Sequence, residues 1–248
     1  TQHFRTIDAS ARKWGDSHQS TVDDFVQHYR SENKVEDAAA NFSLVDQSRK
    51  PGETRAQVSA SFLQLLRMEG NDNTTAVQNH FQVIDRSAQS SGDSRQAATN
   101  DFQSHYRAEN KVEDAVANFE LATSLRRPEE TRQGVTDNFL SLLHLEGNDN
   151  TGAVQNHFRM TNSAIRADLG ETRSSVLQDF ATHYRAENKV EDAEANFQLV
   201  NGAIRPGKDA NVRKDVETVN GSVHLDTGAK TGDAETEGQR RQNGQASA

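Results

Sequence analysis

The phrase His-Tyr-Arg-x-Glu-Asn-Lys-Val-Glu-Asp-Ala-x-Ala-Asn-Phe occurs three times, at His28–Phe42, His105–Phe119 and His183–Phe197, spaced 77 and 78 residues apart. A second phrase, Glu-Gly-Asn-Asp-Asn-Thr-x-Ala-Val-Gln-Asn-His-Phe, stands between the copies at Glu69–Phe81 and Glu146–Phe158. The chain therefore alternates two kinds of unit, type I and type II, in the order I-II-I-II-I. A period of about 39 residues constrains the fold strongly, because units of that length bury their apolar faces by stacking on neighbours. Only 33% of the 248 residues are hydrophobic, which is thin for one compact globule and adequate for a long narrow core.

Each unit carries two short apolar stripes at helical spacing. In type I the first stripe is Val22, Phe25, Val26 and Tyr29, repeated by Phe102 with Tyr106 and by Leu177, Phe180 and Tyr184. The second is Val35, Ala38, Ala39 and Phe42, or Val112, Ala115 and Phe119. The stripes break phase at Glu32-Asn33-Lys34, where Asn33 and Glu36 have the spacing of a helix cap and its reciprocal partner. Asn110 with Glu113 and Asn188 with Glu191 repeat the signal, so each unit reads as a helical hairpin. In type II, Val58, Phe62, Leu65 and Leu66 match Val135, Phe139, Leu142 and Leu143, and the elbow ends a helix at Gly70 or Gly147. Pro51, Pro128 and Pro206 each follow a second helix, and Thr54, Thr131 and Thr172 read as starts of the next first helix.

The expected fold is all-α: an α-solenoid of five helical hairpins with an N-terminal capping helix and a short C-terminal β-hairpin and flexible tail. Residues 1–18 form the capping helix, with Phe4, Ile7, Ala11 and Trp14 on one face. Residues 19–206 hold the five hairpins. Residues 207–248 are an extension in which Val216, Val219, Asn220, Gly221, Val223 and Leu225 alternate around an Asn-Gly turn, a hairpin able to pair with another chain.

The type I phrase resembles the tetratricopeptide repeat. That family's aromatic, Ala, aromatic and Pro correspond to Tyr29, Ala38, Phe42 and Pro51; to Tyr106, Ala115, Phe119 and Pro128; and to Tyr184, Ala193, Phe197 and Pro206. Units here are longer than the family's, and its small residue three before the Tyr is Val26, Gln103 or Ala181. The resemblance implies a concave groove lined by Arg30, Arg67, Arg107, His144 and Arg185, cations suited to acidic peptides or C-termini because an arginine fork grips a carboxylate in two places. The competing reading pairs these cations with Glu32-type carboxylates of the same array. The tail is similar to one rung of bacterial β-solenoids, which alone cannot bury its own faces.

A formal charge of −9 points away from general nucleic-acid binding. No apolar run approaches the roughly 20 residues of a spanning helix. There is no cysteine, and the N-terminus lacks a signal-peptide core, so a cytoplasmic, soluble chain is expected. Asp24 and His28, with Asp101/His105 and Asp179/His183, have the spacing of two metal ligands, but a third is missing and a solvated pair is the simpler reading. The Asn-Asp-Asn elbows lack the calcium-loop pattern, and His80 and His157 read as structural. No nucleophile–base set, phosphate loop or dinucleotide fingerprint is present. The sequence thus points to a non-enzyme without metal or cofactor, a scaffold that self-assembles or coats a periodic protein assembly. Alternatives are a monomeric adaptor for acidic peptides and an amphipathic coat for a gas vesicle or similar surface, the latter ill suited to the Pro and Gly breaks.

Overall fold

A computed structural model describes residues 2–187 and 189–204, together with the backbone of 216–219 and 222–225. Among the described residues the chain forms helices α1 (Gln2–Trp14), α2 (His18–Ser31), α3 (Val35–Ser48), α4 (Arg55–Glu69), α5 (Thr74–Ser91), α6 (Arg95–Ala108), α7 (Val112–Ser124), α8 (Arg132–Glu146), α9 (Thr151–Ala164), α10 (Arg173–Ala186) and α11 (Val190–Ala203). Short 3₁₀ turns occupy Asn71–Asn73, Asn148–Asn150 and Ala167–Leu169. Strands β1 (Val216–Val219) and β2 (Ser222–Leu225) pair antiparallel, with Val216 opposite Leu225 and Val219 opposite Ser222. Asn220, Gly221, Pro206 and the rest of the tail lie outside the described residues, as do the strand side chains.

The chain divides into two compact units, residues 1–136 and 137–248, and each is considered by itself. In the first, α2 packs on α3 and α4, α4 packs on α5 and α6, and α6 packs on α7. Second helices also meet, α3 against α5 and α5 against α7. In the second unit α10 packs on α9 and α11.

The core repeats as one edge-on phenylalanine pair per hairpin. Ring centroids lie 5.4 Å apart for Phe25–Phe42, 5.2 Å for Phe62–Phe81 and 5.4 Å for Phe102–Phe119. In the second unit they are 5.0 Å apart for Phe139–Phe158 and 5.5 Å for Phe180–Phe197. Edge-on geometry sets the positive ring edge against the negative face and adds to the area term. The first-helix aromatic of the core is thus Phe, while Tyr29 is 50% exposed and Tyr106 and Tyr184 are half-buried. The inward position beside them is His28, His105 or His183, each of which meets the second-helix Phe edge-on. Three residues after Phe is the side that neighbouring helices cover, so tyrosine at four residues is left at the rim.

Helix starts divide into two kinds. Thr54 caps α4 with a reciprocal Gln57 bond, and Thr172 caps α10 with Ser175. The Thr131 hydroxyl accepts from the Gly134 amide at 3.1 Å. The second helices of type I start differently from expectation. Lys34 takes the extended N-cap backbone without a side-chain bond, so Asn33 stands one residue too early and donates to Asp72 at 3.2 Å instead. Glu36 and Asp37 in the first turn complement the helix dipole. Gly70 ends α4 at φ +87° and donates to the Leu66 carbonyl at 2.8 Å, and Gly147 does the same at φ +85° toward Leu143. A side chain at either place would be strained.

Candidate partner-binding surface

The repeated phrases account first for their own elbows. In type I the carboxylate closing the first helix accepts from a buried asparagine nine residues on: Glu32 from Asn41, Glu109 from Asn118, and Glu187 from Asn196 at 2.6 Å. In type II the same strut is a carboxylate and an imidazole, Glu69 with His80 at 2.6 Å and Glu146 with His157 at 2.7 Å. Neighbouring elbows are also tied. Thr74 donates to Glu32 at 3.3 Å, Gln78 to Asn41 at 2.7 Å, and Asn71 to the Ser31 carbonyl at 3.5 Å. Both phrases therefore specify hairpin closure, and the second also ties its hairpin to the one before it.

That use of Glu32, Glu109 and Glu187 leaves the predicted cations outside. Arg30, Arg67, Arg107, His144 and Arg185 are all exposed. Among the described residues none of the four arginines is held in an ion pair, so the competing expectation that Glu32-type carboxylates neutralise them is not what the side chains do. Arg67 and Arg107, at the last turns of α4 and α6, line one shallow depression with Gln64, Met68 and Gln103. Its wall is an amide network in which Gln64 donates to Asn100 at 3.1 Å and to Gln103 at 3.2 Å, and Gln96 donates to Gln64 at 2.7 Å. Arg30 lies outside that depression; His144 and Arg185 belong to the second unit.

A different set of arginines escapes sequence reading. Arg55, Arg95, Arg132 and Arg173, each directly after a Thr or Ser cap, are almost wholly buried. Arg55 reaches Asp46 at 2.6 Å, Asp16 at 3.0 Å and Asp24 at 3.7 Å. Arg95 binds Asp85 at 2.6 Å and Glu53 at 2.8 Å. Arg132 binds Asp93 at 3.0 Å and lies 3.6 Å from Asp101. Each guanidinium also sits over a core ring, 5.0–5.7 Å from Phe42, Phe81, Phe119 or Phe158. The signal in sequence is Thr-Arg or Ser-Arg at every one of these helix starts.

Asp24 and His28 form no solvated pair, since both are buried. Burial raises the Asp24 carboxyl, with the Arg55 charge opposing, and His28 Nε2 lies 3.4 Å from the Ser59 hydroxyl. Among the described residues no three His, Asp or Glu side chains are grouped to hold a metal.

Burial pushes the imidazole of His28 down to about 4, with the Arg55 charge adding to the shift, and that of His105 down to about 3. An unfolded histidine binds its proton near pH 6.5. Below that pH the unfolded chain takes up protons that the folded chain refuses, so stability falls from about pH 6.5 toward 4 and is level above. His157 works in the opposite sense. Burial alone would lower it, but the Glu146 bond and charge raise it, so its contribution is full below pH 6.5 and is lost as pH rises through its folded value. Type II hairpins carry Leu65 and Leu142 where type I carries His28 and His105. His105→Leu is therefore expected to gain about 2 kcal/mol more, relative to the parent, at pH 5 than at pH 7.5 in urea unfolding. An equal effect at both pH values would refute the buried neutral imidazole.

Comparison with protein-family models finds no match, and comparisons with curated proteins and with solved structures find none either. No helix among the described residues is long and apolar enough to cross a membrane.

Proposed function

We propose that this chain is a non-enzymatic structural protein, a divergent tetratricopeptide-like α-solenoid that self-assembles, or coats a larger protein assembly, through regularly spaced equivalent surfaces. The observation that carries this reading is what the repeated phrase leaves outside. Its Glu, Asn, Ala, Phe and His close each hairpin, and its remaining cations are exposed at every type I elbow: Arg30 and Lys34, Arg107 and Lys111, Arg185 and Lys189. Such a surface recurs 77 and 78 residues along the chain and suits a partner with its own repeat. The edge of the β1–β2 pair supports the same reading, since a two-stranded sheet leaves unpaired backbone groups that another chain can extend. Light scattering on the whole chain and on a variant lacking residues 207–248 tests both parts. Mass is expected to rise with concentration for the whole chain and to rise less for the variant. An unchanged oligomer after the deletion would remove the tail from the account.

One observation favours a second reading, an adaptor for acidic peptides. Arg67 and Arg107 line a common depression beside amide donors. On that reading Arg107→Ala weakens an acidic peptide's affinity about tenfold, and unaltered affinity counts against it.

A further inference from the structure

The seam between α5 and α7 repeats the seam between α1 and α3 at an offset of 77 residues, with one change of charge. In the α1–α3 seam Asp46 supplies a carboxylate. It accepts from Ser10 at 2.5 Å and from Arg55 at 2.6 Å, and Lys13 lies 3.8 Å away. Asp16 and Asp24 meet Arg55 as well, and Asp16 also pairs with Arg49. Lys13, Arg49 and Arg55 therefore face an equal number of carboxylates.

In the α5–α7 seam Ser10, Arg49 and Arg55 recur as Ser87, Arg126 and Arg132, and Asp16 and Asp24 recur as Asp93 and Asp101. Asp46 becomes the neutral Thr123, Lys13 becomes Ser90, and Ala9 becomes Arg86. The cations are kept and one inward carboxylate is lost. A cavity of about 480 Å³ opens at this place, against 200 Å³ in the α1–α3 seam. That size is within the range of small-ligand sites. Arg86, Arg126, Ser87, Ser90 and Thr123 line it, with the exposed Glu120 at its edge. Among the described residues neither Arg86 nor Arg126 forms an ion pair, and Arg126 Nε is buried without a hydrogen-bond partner. Arg132, 4% exposed, stands behind the lining and donates to Ser87 Oγ at 2.5 Å and Thr123 Oγ1 at 2.9 Å. Those hydroxyls lie 2.8 Å apart and share one bond, so one of their two protons is left to donate. In the α1–α3 seam the Ser10 proton goes to Asp46 and none is spare.

We propose that the α5–α7 cavity binds a small molecule bearing an oxyanion, phosphate or polycarboxylate, gripped by Arg86 and Arg126 over the Ser87–Thr123 hydroxyls. The bound anion supplies the charge that Asp46 supplies in the other seam. Guanidinium forks suit either oxyanion. The site goes beyond the assembly reading and is independent of it, since all its residues lie on one chain. A formal charge of −9 gives the chain no general attraction for anions, so saturable binding reports a local site. The test is isothermal titration of the full chain at low ionic strength, with inorganic phosphate in one arm and citrate in the other. Saturable binding in at least one arm is expected, and the arm that binds tells phosphate from carboxylate. Arg86→Ala or Arg126→Met should weaken it at least about tenfold. Thr123→Asp, which restores the carboxylate of the α1–α3 seam, should abolish it. Arg159→Ala serves as the control, because Arg159 is exposed on α9 and donates only to Asn156 of its own helix. Arg126 makes no described side-chain bond, and aspartate already fits at the place of Thr123 in the other seam. Both variants should therefore keep the helical circular dichroism of the parent. Binding left unchanged by Arg126→Met or by Thr123→Asp overturns the proposal. So does a chain that binds neither anion up to about 10 mM.

Discussion

Arg95→Ala is expected to lose about 3–5 kcal/mol of stability in urea or thermal unfolding, far more than a helix-surface arginine. The side chain is 3% exposed and gives its donors to three acceptors: Asp85 at 2.6 Å, Glu53 at 2.8 Å and the Ser48 carbonyl at 2.7 Å. Alanine removes the cation and leaves two carboxylates and a carbonyl that were arranged around it. Lys50, 3.8 Å from Asp85, is too far to replace the lost bonds. An uncompensated half-buried carboxylate is the larger part of the cost, rather than the net worth of the ion pair. Removing Asp85 as well should therefore recover part of the loss, with a coupling of about 1–3 kcal/mol. Arg107→Ala, at an exposed position, should shift the midpoint little. A loss below about 1 kcal/mol for Arg95→Ala would show that solvent reaches this site and that its charges are not structural.

Phe81→Ala is the second large effect, with an expected loss of about 3–5 kcal/mol. Phe81 is fully buried, edge-on to Phe62 at 5.2 Å and beneath the Arg95 guanidinium at 5.7 Å. Its removal forfeits the transferred area, opens a cavity between two helices, and takes away the ring under a buried cation. Phe4→Ala alters a ring on α1 that meets His18 at 5.3 Å between centroids and is 61% exposed. That variant should cost less than about 0.5 kcal/mol. Similar losses for the two would mean that Phe4 is covered in solution.

The hairpins, their elbows and most helix starts are legible in the sequence because each rests on local chemistry. Thr54 and Thr172 cap the helices that follow them, and Gly70 and Gly147 hold positive φ where the first helix must end. Readings that depended on which side a neighbour covers went astray. Tyr29 and His28 are adjacent, and helical period alone admits either to the stripe; packing of α4 onto α2 puts His28 inside. Asn33 has the chemistry of a cap but falls one residue before the extended Lys34. The buried arginines were hidden for a related reason. An arginine in a first helical turn reads as solvated until Asp46, Asp85 or Asp93 is brought to it from a preceding segment. Arg30, Arg67, Arg107, His144 and Arg185 are exposed, and Arg67 and Arg107 line one depression.

Assembly through repeated outward surfaces is the central claim, and sedimentation velocity of the full chain over a hundredfold range of concentration tests it most directly. The expected result is a weight-average sedimentation coefficient that climbs with concentration, from that of a 27.4 kDa chain toward larger species. A single species of monomer mass across the whole range would contradict self-assembly and leave the repeats as the scaffold of an adaptor.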